Sequence, residues 1–307
     1  MRAAIVTDYG SPITVIEMEQ PTLAPDSVMI EVHASSVNPI DSLIAHGVMT
    51  EMLPYHLPWV VGYDVSGVVV ECGADVTEFH VADEVFGRAD SFQAGTMAEF
   101  AMIKQVDLAI KPSNVSHLEA AGVPLAGLTA WQALVEHARV QSGEKVLIHA
   151  GSGGVGSLAI QMAKHLGALV ATTTSGPNLE FVKDLGADVA IDYQTQRFED
   201  EISDYDVVID TLGGESLARS FTTVKRGGRV VSIKGEAPNG LADERGVHFT
   251  AFYMSPSGTM LSTLAGLIES GALRPIVDSV FPLKEVQRAF DLSDAGRARG
   301  KIIIQVR

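Results

Sequence analysis

A chain of 307 residues with 46% apolar side chains is long enough to fill two hydrophobic cores, so we expect two domains. Its 38 acidic and 22 basic residues give a formal net charge of −16, which disfavours nucleic acid and anionic membranes as partners. The single cysteine, Cys72, excludes an internal disulfide and a four-cysteine zinc site, and it favours a reducing, cytoplasmic compartment. The first residues lead into a strand-like run without the apolar core of a signal peptide, and no stretch approaches a membrane span.

Short strand-like segments separated by glycine and proline fill the chain up to about Ile110. Examples are residues 27–32, 65–70 and 98–103. This pattern predicts a compact all-β domain. After it, Ser116 is followed three residues later by Glu119, which indicates a helix start.

The character of the chain then changes, because apolar runs alternate with helical segments. Strand candidates lie at residues 145–149, 168–173, 189–191, 206–210 and 229–233, and helix candidates at residues 155–166 and 179–185. This alternation predicts an α/β fold with a parallel doubly wound sheet and right-handed crossovers. Helices at residues 259–270 and 283–293 and a strand at residues 301–306 complete the chain. The 229–233 strand, if it lies at an edge, is a candidate seam between subunits; ordinary burial inside the sheet is the alternative.

A glycine-rich turn follows the first of these strands and matches G-x-G-x-x-G at positions 151, 153 and 156. The missing side chains let the backbone approach a diphosphate, and free N–H groups at the start of the next helix meet its charge. The alternative is a tight strand-to-helix turn that binds no ligand. The residues assigned to diphosphate binding are Gly151, Ser152, Gly153, Gly154, Val155 and Gly156.

The end of the second parallel strand indicates which nicotinamide cofactor binds. An acidic residue there would accept hydrogen bonds from the ribose 2′-hydroxyl and repel a 2′-phosphate. This strand ends in Thr174 and Ser175, whose hydroxyls can donate to a phosphate, so the sequence favours NADPH over NADH. Helix capping ahead of Pro177 is the alternative role for both hydroxyls.

Five motifs occur together in an order and spacing that span nearly the whole chain. They are Val37-Asn38-Pro39-Ile40-Asp41, Gly62-Tyr63-Asp64-Val65-Ser66-Gly67, Val123-Pro124-Leu125-Ala126-Gly127-Leu128-Thr129-Ala130-Trp131, Gly153-Gly154-Val155-Gly156 and Arg299-Gly300-Lys301-Ile302. With these motifs the chain resembles the zinc-free quinone oxidoreductase branch, the zeta-crystallin-like enzymes, of the medium-chain dehydrogenase/reductase superfamily. The resemblance implies a GroES-like catalytic domain over residues 1–115, completed by residues 257–307, and a Rossmann NADPH-binding domain over residues 116–256. It also implies a cleft between them and a homodimer formed through sheet edges of the cofactor domain.

The resemblance also assigns roles to individual positions. It places Asn38 near the nicotinamide and its ribose, and it puts Asp41 in the same catalytic motif. It places Thr129 beside the nicotinamide, Tyr193 near the adenosine 2′-phosphate and Lys301 among the cofactor-binding residues. For Asn38 and Asp41 the structural alternatives are a turn and a helix cap. For Thr129 and Tyr193 they are a bond to the helix backbone and a half-buried loop position.

No metal is expected, because zinc-dependent relatives need a thiolate and an imidazole on a shared ion. The stretch 38–41 holds no cysteine, and Tyr63 stands where the zinc enzymes carry the histidine of their Gly-His-Glu motif. Reduction of a conjugated carbonyl then needs a source of the proton that the product takes up. The proton-donor candidates are His46, Tyr55, His56 and Tyr253, with water as the alternative.

The chain departs from the family pattern at positions that affect the pocket. Leu43 and Met49 stand where similar enzymes often carry a tyrosine or lysine and a further tyrosine, and Ala45 replaces an arginine. We therefore expect a more apolar pocket. Pro177 and Asn178 stand where a basic residue often follows the second strand, which weakens the expected preference for NADPH.

The sequence thus favours an NADPH-dependent reductase of small-molecule quinones or α,β-unsaturated carbonyls. One alternative is an enoyl-thioester reductase, for which the net charge of −16 offers little basic surface. Another is a non-catalytic NADPH-binding protein with a structural or redox-sensing role, which would fit the missing tyrosines.

Overall fold

The computed structural model describes residues 1–52, 55–90 and 95–307, and the chain divides into two compact units. The first unit comprises Met1–Leu128, Pro256–Gly271 and Pro275–Arg307, and the second comprises Thr129–Ser255 and Ala272–Arg274. The first junction follows Leu128, whereas the resemblance placed it at residue 115. The difference arises because the helix that begins after Ser116 packs on strands of the first unit.

The secondary structure of the described residues is as follows. The strands are β1 (Arg2–Val6), β2 (Thr14–Glu17), β3 (Ser27–Val37), β4 (Trp59–Val60), β5 (Asp64–Cys72), β6 (Glu84–Arg88), β7 (Phe100–Lys104), β8 (Leu108–Ile110), β9 (Lys145–Ile148), β10 (Leu169–Thr174), β11 (Val189–Asp192), β12 (Tyr205–Asp210), β13 (Val224–Ser232), β14 (His248–Ala251), β15 (Val277–Pro282) and β16 (Lys301–Gln305). The helices are α1 (Pro39–Ala45), α2 (His117–Ala121), α3 (Pro124–Trp131), α4 (Gly154–His165), α5 (Leu179–Asp184), α6 (Phe198–Glu201), α7 (Gly214–Ser220), α8 (Leu241–Arg245), α9 (Gly258–Glu269) and α10 (Val286–Asp294). Short 3-10 turns at Gln105–Asp107, Gly176–Asn178 and Leu283–Glu285 and a π-helical turn at Gln132–His137 complete the set.

The first unit is built on a seven-stranded sheet in the order β15-β16-β3-β5-β6-β8, with β7 also paired to β3. A three-stranded sheet, β2-β1-β4, lies beside it in the same unit. The long strand β3 is almost wholly buried, because it pairs with β5, β7 and β16 and carries the apolar residues that the core needs. The prediction of an all-β segment up to Ile110 missed α1, whose start is marked by Asn38 at the N-cap and Pro39 in the first turn.

The last segment of the chain returns to the first unit. Strand β16 pairs antiparallel with β3 and parallel with β15, so it lies inside the sheet. The sequence predicted a strand at residues 301–306, which corresponds to β16. It did not predict β15, because only every second residue of that strand is even half-buried and the apolar signal is correspondingly weak.

The second unit contains a six-stranded, all-parallel sheet in the order β11-β10-β9-β12-β13-β14. The strands β9, β10 and β12 and the helix α4 lie where the sequence predicted them, and the predicted GroES-like plus Rossmann α/β fold class is confirmed. The proposal of an edge strand at 229–233 was wrong. This segment belongs to β13, which is paired on both sides, and β14 forms the edge.

Among the described residues, no helix combines the length and the apolar character that a bilayer crossing requires.

The predicted helix start at Ser116 provides a test of local stability. Glu119 N–H donates to Ser116 Oγ at 3.3 Å, and Ser116 N–H donates back to the Glu119 carboxylate at 2.8 Å. We expect Ser116→Ala to cost about 1 kcal/mol, which lowers the midpoint of thermal unfolding by about 2–4 °C. Differential scanning calorimetry measures the shift, with Ser203→Ala at an exposed position as the control. If Ser116→Ala and Ser203→Ala had the same midpoint of thermal unfolding, the Ser116 cap would not stabilise the protein.

Candidate active site

The glycine-rich turn connects β9 to α4 in the second unit. Helix α4 begins at Gly154 with Gly153 as its N-cap, and no side chain of the described residues caps this end. The first N–H groups of a helix have no partner within the helix, so those of α4 are available to an anion. Ala150, just before the turn, adopts a left-handed conformation with φ of 52°.

The space around the glycines shows what the turn can hold. A side chain at Gly151 would overlap the Thr172 hydroxyl, and one at Gly156 would overlap the carbonyl oxygen of Ala150. Both glycines are therefore required for the turn to close. At Gly153 a Cβ atom would meet the Ala150 oxygen at 3.3 Å, so the position is open on its other side. A turn with an uncapped helix start and an open glycine fits a dinucleotide diphosphate.

The hydroxyls predicted to bind a 2′-phosphate lie together beside this turn. Thr174 Oγ1 donates to Ser152 Oγ at 3.0 Å, and Asn178 Nδ2 lies 3.3 Å from Ser152 Oγ and 3.2 Å from Ser175 Oγ. The structure thus brings Ser152, Thr174 and Ser175 together and adds Asn178. From the sequence, Asn178 was noted only because it stands where similar enzymes often carry a basic residue. Its position directly after β10 was the signal that could have identified it as a site residue.

Two other predicted cofactor residues lie in the second unit. Tyr193 is 61% exposed, and its backbone N–H donates to the Thr174 carbonyl oxygen, so the residue adjoins the hydroxyl cluster. Thr129 is buried in α3. Asp192 precedes Tyr193 and was overlooked. Its carboxylate accepts hydrogen bonds from the Gln194 N–H and the Thr195 hydroxyl, which offset its charge.

A buried charged cluster occupies the first unit around Asp64. The fully buried Asp64 carboxylate accepts hydrogen bonds from the Ser36 hydroxyl at 2.6 Å, the Asn38 amide at 2.8 Å and the Leu125 N–H at 2.8 Å. Lys301 Nζ lies 3.7 Å from the same carboxylate. Because a buried charge needs partners, these contacts tie β3, β5, α3 and β16 together.

Asn38 is held at both ends of its side chain. Its Oδ1 accepts a hydrogen bond from Lys301 Nζ, its Nδ2 donates to Asp64, and the residue is 1% exposed. Lys301 also donates to the Val37 carbonyl oxygen at 2.8 Å, and burial lowers the pKa of its ammonium. The sequence predicted Asn38 as a catalytic residue and Lys301 as a cofactor-binding residue. In the structure the two side chains are hydrogen-bonded to each other inside the first unit.

Asp41, the second predicted catalytic residue of the motif, is fully buried in the first turn of α1. Its Oδ2 accepts the Asn38 N–H at 2.7 Å, whereas its Oδ1 has no hydrogen-bond partner among the described residues. Burial raises the pKa of the Asp41 carboxyl to about 7, with the nearby Asp64 charge acting in the same direction and the Asn38 N–H opposing it.

Aromatic side chains and an arginine lie close to this cluster. The Tyr55 hydroxyl is hydrogen-bonded to the Tyr63 hydroxyl, and the Arg88 guanidinium lies 4.4 Å from the centre of the Tyr63 ring. Burial raises the pKa of Tyr55 and lowers that of Arg88. Asp64 and Arg88 were missed from the sequence. A usable signal was a charged residue at the end of a strand that carries a run of apolar residues, since such a charge needs a buried partner.

The remaining proton-donor candidates are distributed differently. His46 is exposed and forms the C-cap of α1. His56 is exposed in the segment that leads to β4, and Tyr253, in the second unit, is 73% exposed. The structure therefore places Tyr55 beside the buried cluster and His46 and His56 at the surface.

The donor set of the first unit does not fit a zinc ion. The side chains of Asn38 and Asp64 already bind Lys301, whose ammonium would repel a cation. Among the described residues, no group of three or more His, Cys, Asp or Glu side chains is placed to hold a metal.

Two family models match the chain. Residues 24–140 match the alcohol dehydrogenase GroES-like domain, and residues 185–304 match the zinc-binding dehydrogenase domain. The first match includes Asn38 and Asp64 of the buried cluster, and the second includes Lys301 and the strands β11 to β14 of the parallel sheet.

Relatives of known name cover almost the entire chain. A 2-methylene-furan-3-one reductase from Solanum lycopersicum is 39% identical over 99% of this chain and 79% of its own length. A chloroplastic NADPH-dependent alkenal/one oxidoreductase from Arabidopsis thaliana is 36% identical over the same shares. The solved structure of the quinone oxidoreductase from Coxiella burnetii superposes with a TM-score of 0.93 at 34% identity, covering 100% of this chain and 99% of that one.

These units, a GroES-like one and a Rossmann one with a diphosphate-type turn, define a two-domain dehydrogenase/reductase architecture. The chain belongs to the medium-chain dehydrogenase/reductase superfamily, in its quinone oxidoreductase branch, as its motifs predicted.

The buried carboxyl of Asp41 gives a pH-dependent stability with a defined sign. Its pKa is about 7 in the folded protein, against 3.8 for a free aspartate side chain in water. Between these values the unfolded chain has lost the proton while the folded chain keeps it, so stability falls as pH rises from about 4 to 7. We expect Asp41→Asn to remove this loss, on the order of 4 kcal/mol in full.

Chemical denaturation of the wild type and the Asp41→Asn variant at several pH values between 4 and 8 measures the effect. The difference in unfolding free energy should grow in favour of the variant as pH rises. The exposed Asp294→Asn serves as the control. A difference that stays constant over this range would mean that Asp41 is not protonated inside the fold.

Proposed function

We propose that the protein is an NADPH-dependent reductase that transfers hydride to a quinone or an α,β-unsaturated carbonyl compound. The observation that carries the proposal is the turn at Gly151–Gly156, where an uncapped helix start adjoins a cluster of hydroxyls. Membership of the quinone oxidoreductase branch and the named activities of the Solanum and Arabidopsis relatives support it.

The second unit would hold the cofactor through the turn. N–H groups at the start of α4 would bind the diphosphate. Ser152 and Ser175 would donate to the 2′-phosphate, and Thr174, whose hydroxyl donates to Ser152, would orient the Ser152 hydroxyl. Tyr193 would cover the adenosine end, and Thr129 would lie towards the nicotinamide. When bound, NADPH supplies the hydride, and the protein orients the reactants and excludes water.

The first unit would supply the groups that interact with the negative charge that develops on the carbonyl oxygen during reduction. Asn38 and Asp41 are buried, so we propose that they act as positioning residues through Lys301 and Asp64. Tyr55, hydrogen-bonded to Tyr63, is a candidate to hold the proton for the product.

Surface residues offer further candidates for the same proton. They are His46, His56 and Tyr253, which are exposed. With Leu43, Ala45 and Met49 apolar, the substrate would be held mainly by apolar contact.

We also propose that the reaction needs no zinc and that the protein is a cytoplasmic homodimer without nucleic acid or membrane partners. The absence of zinc is supported by Asp64, whose carboxylate is already paired with Lys301. The single cysteine supports a cytoplasmic location, and the net charge of −16 supports the absence of nucleic acid and membrane partners. The sheet edge at β14 offers the backbone groups through which two copies would pair.

The direct test is oxidation of NADPH with a naphthoquinone, a short-chain enone and crotonyl-CoA as acceptors. We expect turnover with the first two, unaffected by a zinc chelator, and binding of NADPH that is about tenfold or more tighter than that of NADH. A preference for crotonyl-CoA would favour an enoyl-thioester reductase. Tight NADPH binding without turnover of any acceptor would favour a non-catalytic binding protein.

Gly153→Ala tests the turn itself. The backbone at Gly153 is extended and an added Cβ would meet only the Ala150 carbonyl oxygen, at 3.3 Å, so the variant should fold with at most a small decrease in thermal midpoint. Its methyl group would keep a diphosphate away from the N–H groups, and we expect NADPH affinity to fall by about tenfold or more. Isothermal titration calorimetry measures the affinity, with Gly266→Ala in α9 as the control. Unchanged affinity would place the diphosphate elsewhere.

A further inference from the structure

His149 occupies a buried position between the end of β9 and the glycine-rich turn, and the proposed chemistry does not use it. The residue is 1% exposed. Its Nδ1 lies 3.0 Å from Thr173 Oγ1 and its Nε2 lies 2.8 Å from Ser220 Oγ. Both ring nitrogens are therefore engaged, and both partners are hydroxyls of the second unit.

The hydrogen bonds beyond these hydroxyls fix the position of the histidine proton. The Ala150 N–H donates to Thr173 Oγ1 at 3.2 Å, so the Thr173 hydroxyl proton is left to donate to His149 Nδ1. Ser220 Oγ donates to the Ser216 carbonyl oxygen at 2.7 Å, so Ser220 accepts from His149 Nε2. The ring is therefore neutral, with its proton on Nε2.

The same chain of bonds holds the backbone at the start of the turn. Ala150 has a φ of 52°, which is an uncommon conformation for a residue with a side chain. Its N–H is held by the Thr173 hydroxyl, and the next N–H, of Gly151, donates to the Thr173 carbonyl oxygen at 3.0 Å. Thr173 thus fixes two consecutive peptide groups at the point where the chain leaves β9.

We propose that His149 is a positioning residue for the dinucleotide: as the Nε2–H tautomer it orients the Thr173 hydroxyl, which holds Ala150 and thereby the N–H groups of the glycine-rich turn. This inference rests on the proposed binding of NADPH at that turn. It adds two residues, His149 and Thr173, that lie behind the turn and do not touch the ligand.

The surroundings keep the imidazole neutral. Burial lowers the pKa of His149 to about 4. The charged groups that face it are Asp210 at the end of β12, Arg219 on α7 and Glu199 on α6. Asp210 and Glu199 favour the protonated ring, whereas burial and Arg219 oppose it and together outweigh the two carboxylates. The Phe198 ring, edge-on at 4.8 Å, closes the remaining side.

The binding test compares two substitutions of Thr173. Thr173→Val keeps the shape but removes the hydroxyl, so the Ala150 N–H and His149 Nδ1 lose their partner. We expect the Kd for NADPH, measured by calorimetry at pH 7, to rise about tenfold, the equivalent of about 1.4 kcal/mol. Thr173→Ser keeps the hydroxyl but loses a buried methyl group, so its thermal midpoint should fall while its Kd stays within about threefold of the wild type.

Thr223→Val is the matched control, because it removes another buried threonine hydroxyl of the second unit, which donates to the Ser220 carbonyl oxygen at 2.9 Å, and leaves Thr173, His149 and Ala150 bonded. Its thermal midpoint should fall with little change in Kd. If Thr173→Val binds NADPH like the wild type, or if all three variants lose affinity in proportion to their stability, the positioning role is overturned.

A second measurement uses the wild type without cofactor. Nuclear magnetic resonance of protein labelled with ¹⁵N-histidine identifies the protonated ring nitrogen directly. We expect the Nε2–H form of His149, with no titration between pH 8 and 5.5. An Nδ1–H ring or an imidazolium at pH 7 would overturn the inference even if NADPH binds. Wild-type protein that binds no NADPH would instead overturn the proposed function, and the inference with it.

Discussion

The carboxylate of Asp64 is the buried charge on which the arrangement of the first unit depends. A carboxylate removed from water is stable only when donors surround it, and here they come from Ser36, Asn38, Leu125 and Lys301. These residues lie far apart along the chain. The cluster therefore requires the C-terminal strand to return to the first unit, where Lys301 supplies the compensating positive charge.

The second unit holds its glycine-rich turn through neutral groups, although the charged Asp210, Arg219 and Glu199 face the His149 ring. Around the glycine-rich turn, neutral donors and acceptors follow one another in a fixed direction from the Ala150 N–H through Thr173, His149 and Ser220. Because a neutral imidazole replaces a buried charge, the backbone N–H groups and the dipole of α4 set the local potential. The N–H groups at the start of α4 and the positive end of its dipole favour an anionic ligand, although the protein as a whole carries a charge of −16.

The sequence predicted the elements whose signal is local. Strand β9, the glycine-rich turn and helix α4 were recognised because a buried apolar run, a glycine pattern and a 3.6-residue period occur in succession. Strands β14 and β15 were missed, since each lies at a sheet edge with half-buried side chains and carries little apolar signal. The strand at 229–233 was taken for an edge because pairing partners cannot be deduced from one strand alone.

The candidate site was predicted in part for the same reason. Ser152, Thr174 and Tyr193 adjoin in the fold because parallel strands end at one edge of a sheet, which is a rule that the sequence can supply. Asp64, Arg88 and Lys301 meet only through tertiary structure. Lys301 was named from its motif, whereas the ion partners of the motif residues became visible only when β3, β5 and β16 were seen side by side.

The buried carboxyl of Asp41 and the buried histidines His117 and His149 act on stability with opposite signs. Burial raises the pKa of Asp41 to about 7, so this carboxyl favours the folded protein at low pH. Burial lowers the pKa of His117 and of His149 to about 4, so between about 6.5 and 4 the unfolded chain takes up protons that the folded chain excludes, and stability falls as pH falls. The two effects cover nearly the same pH range and offset each other. A variant without the Asp41 carboxyl therefore exposes the histidine contribution, and its stability should rise more steeply with pH than that of the wild type.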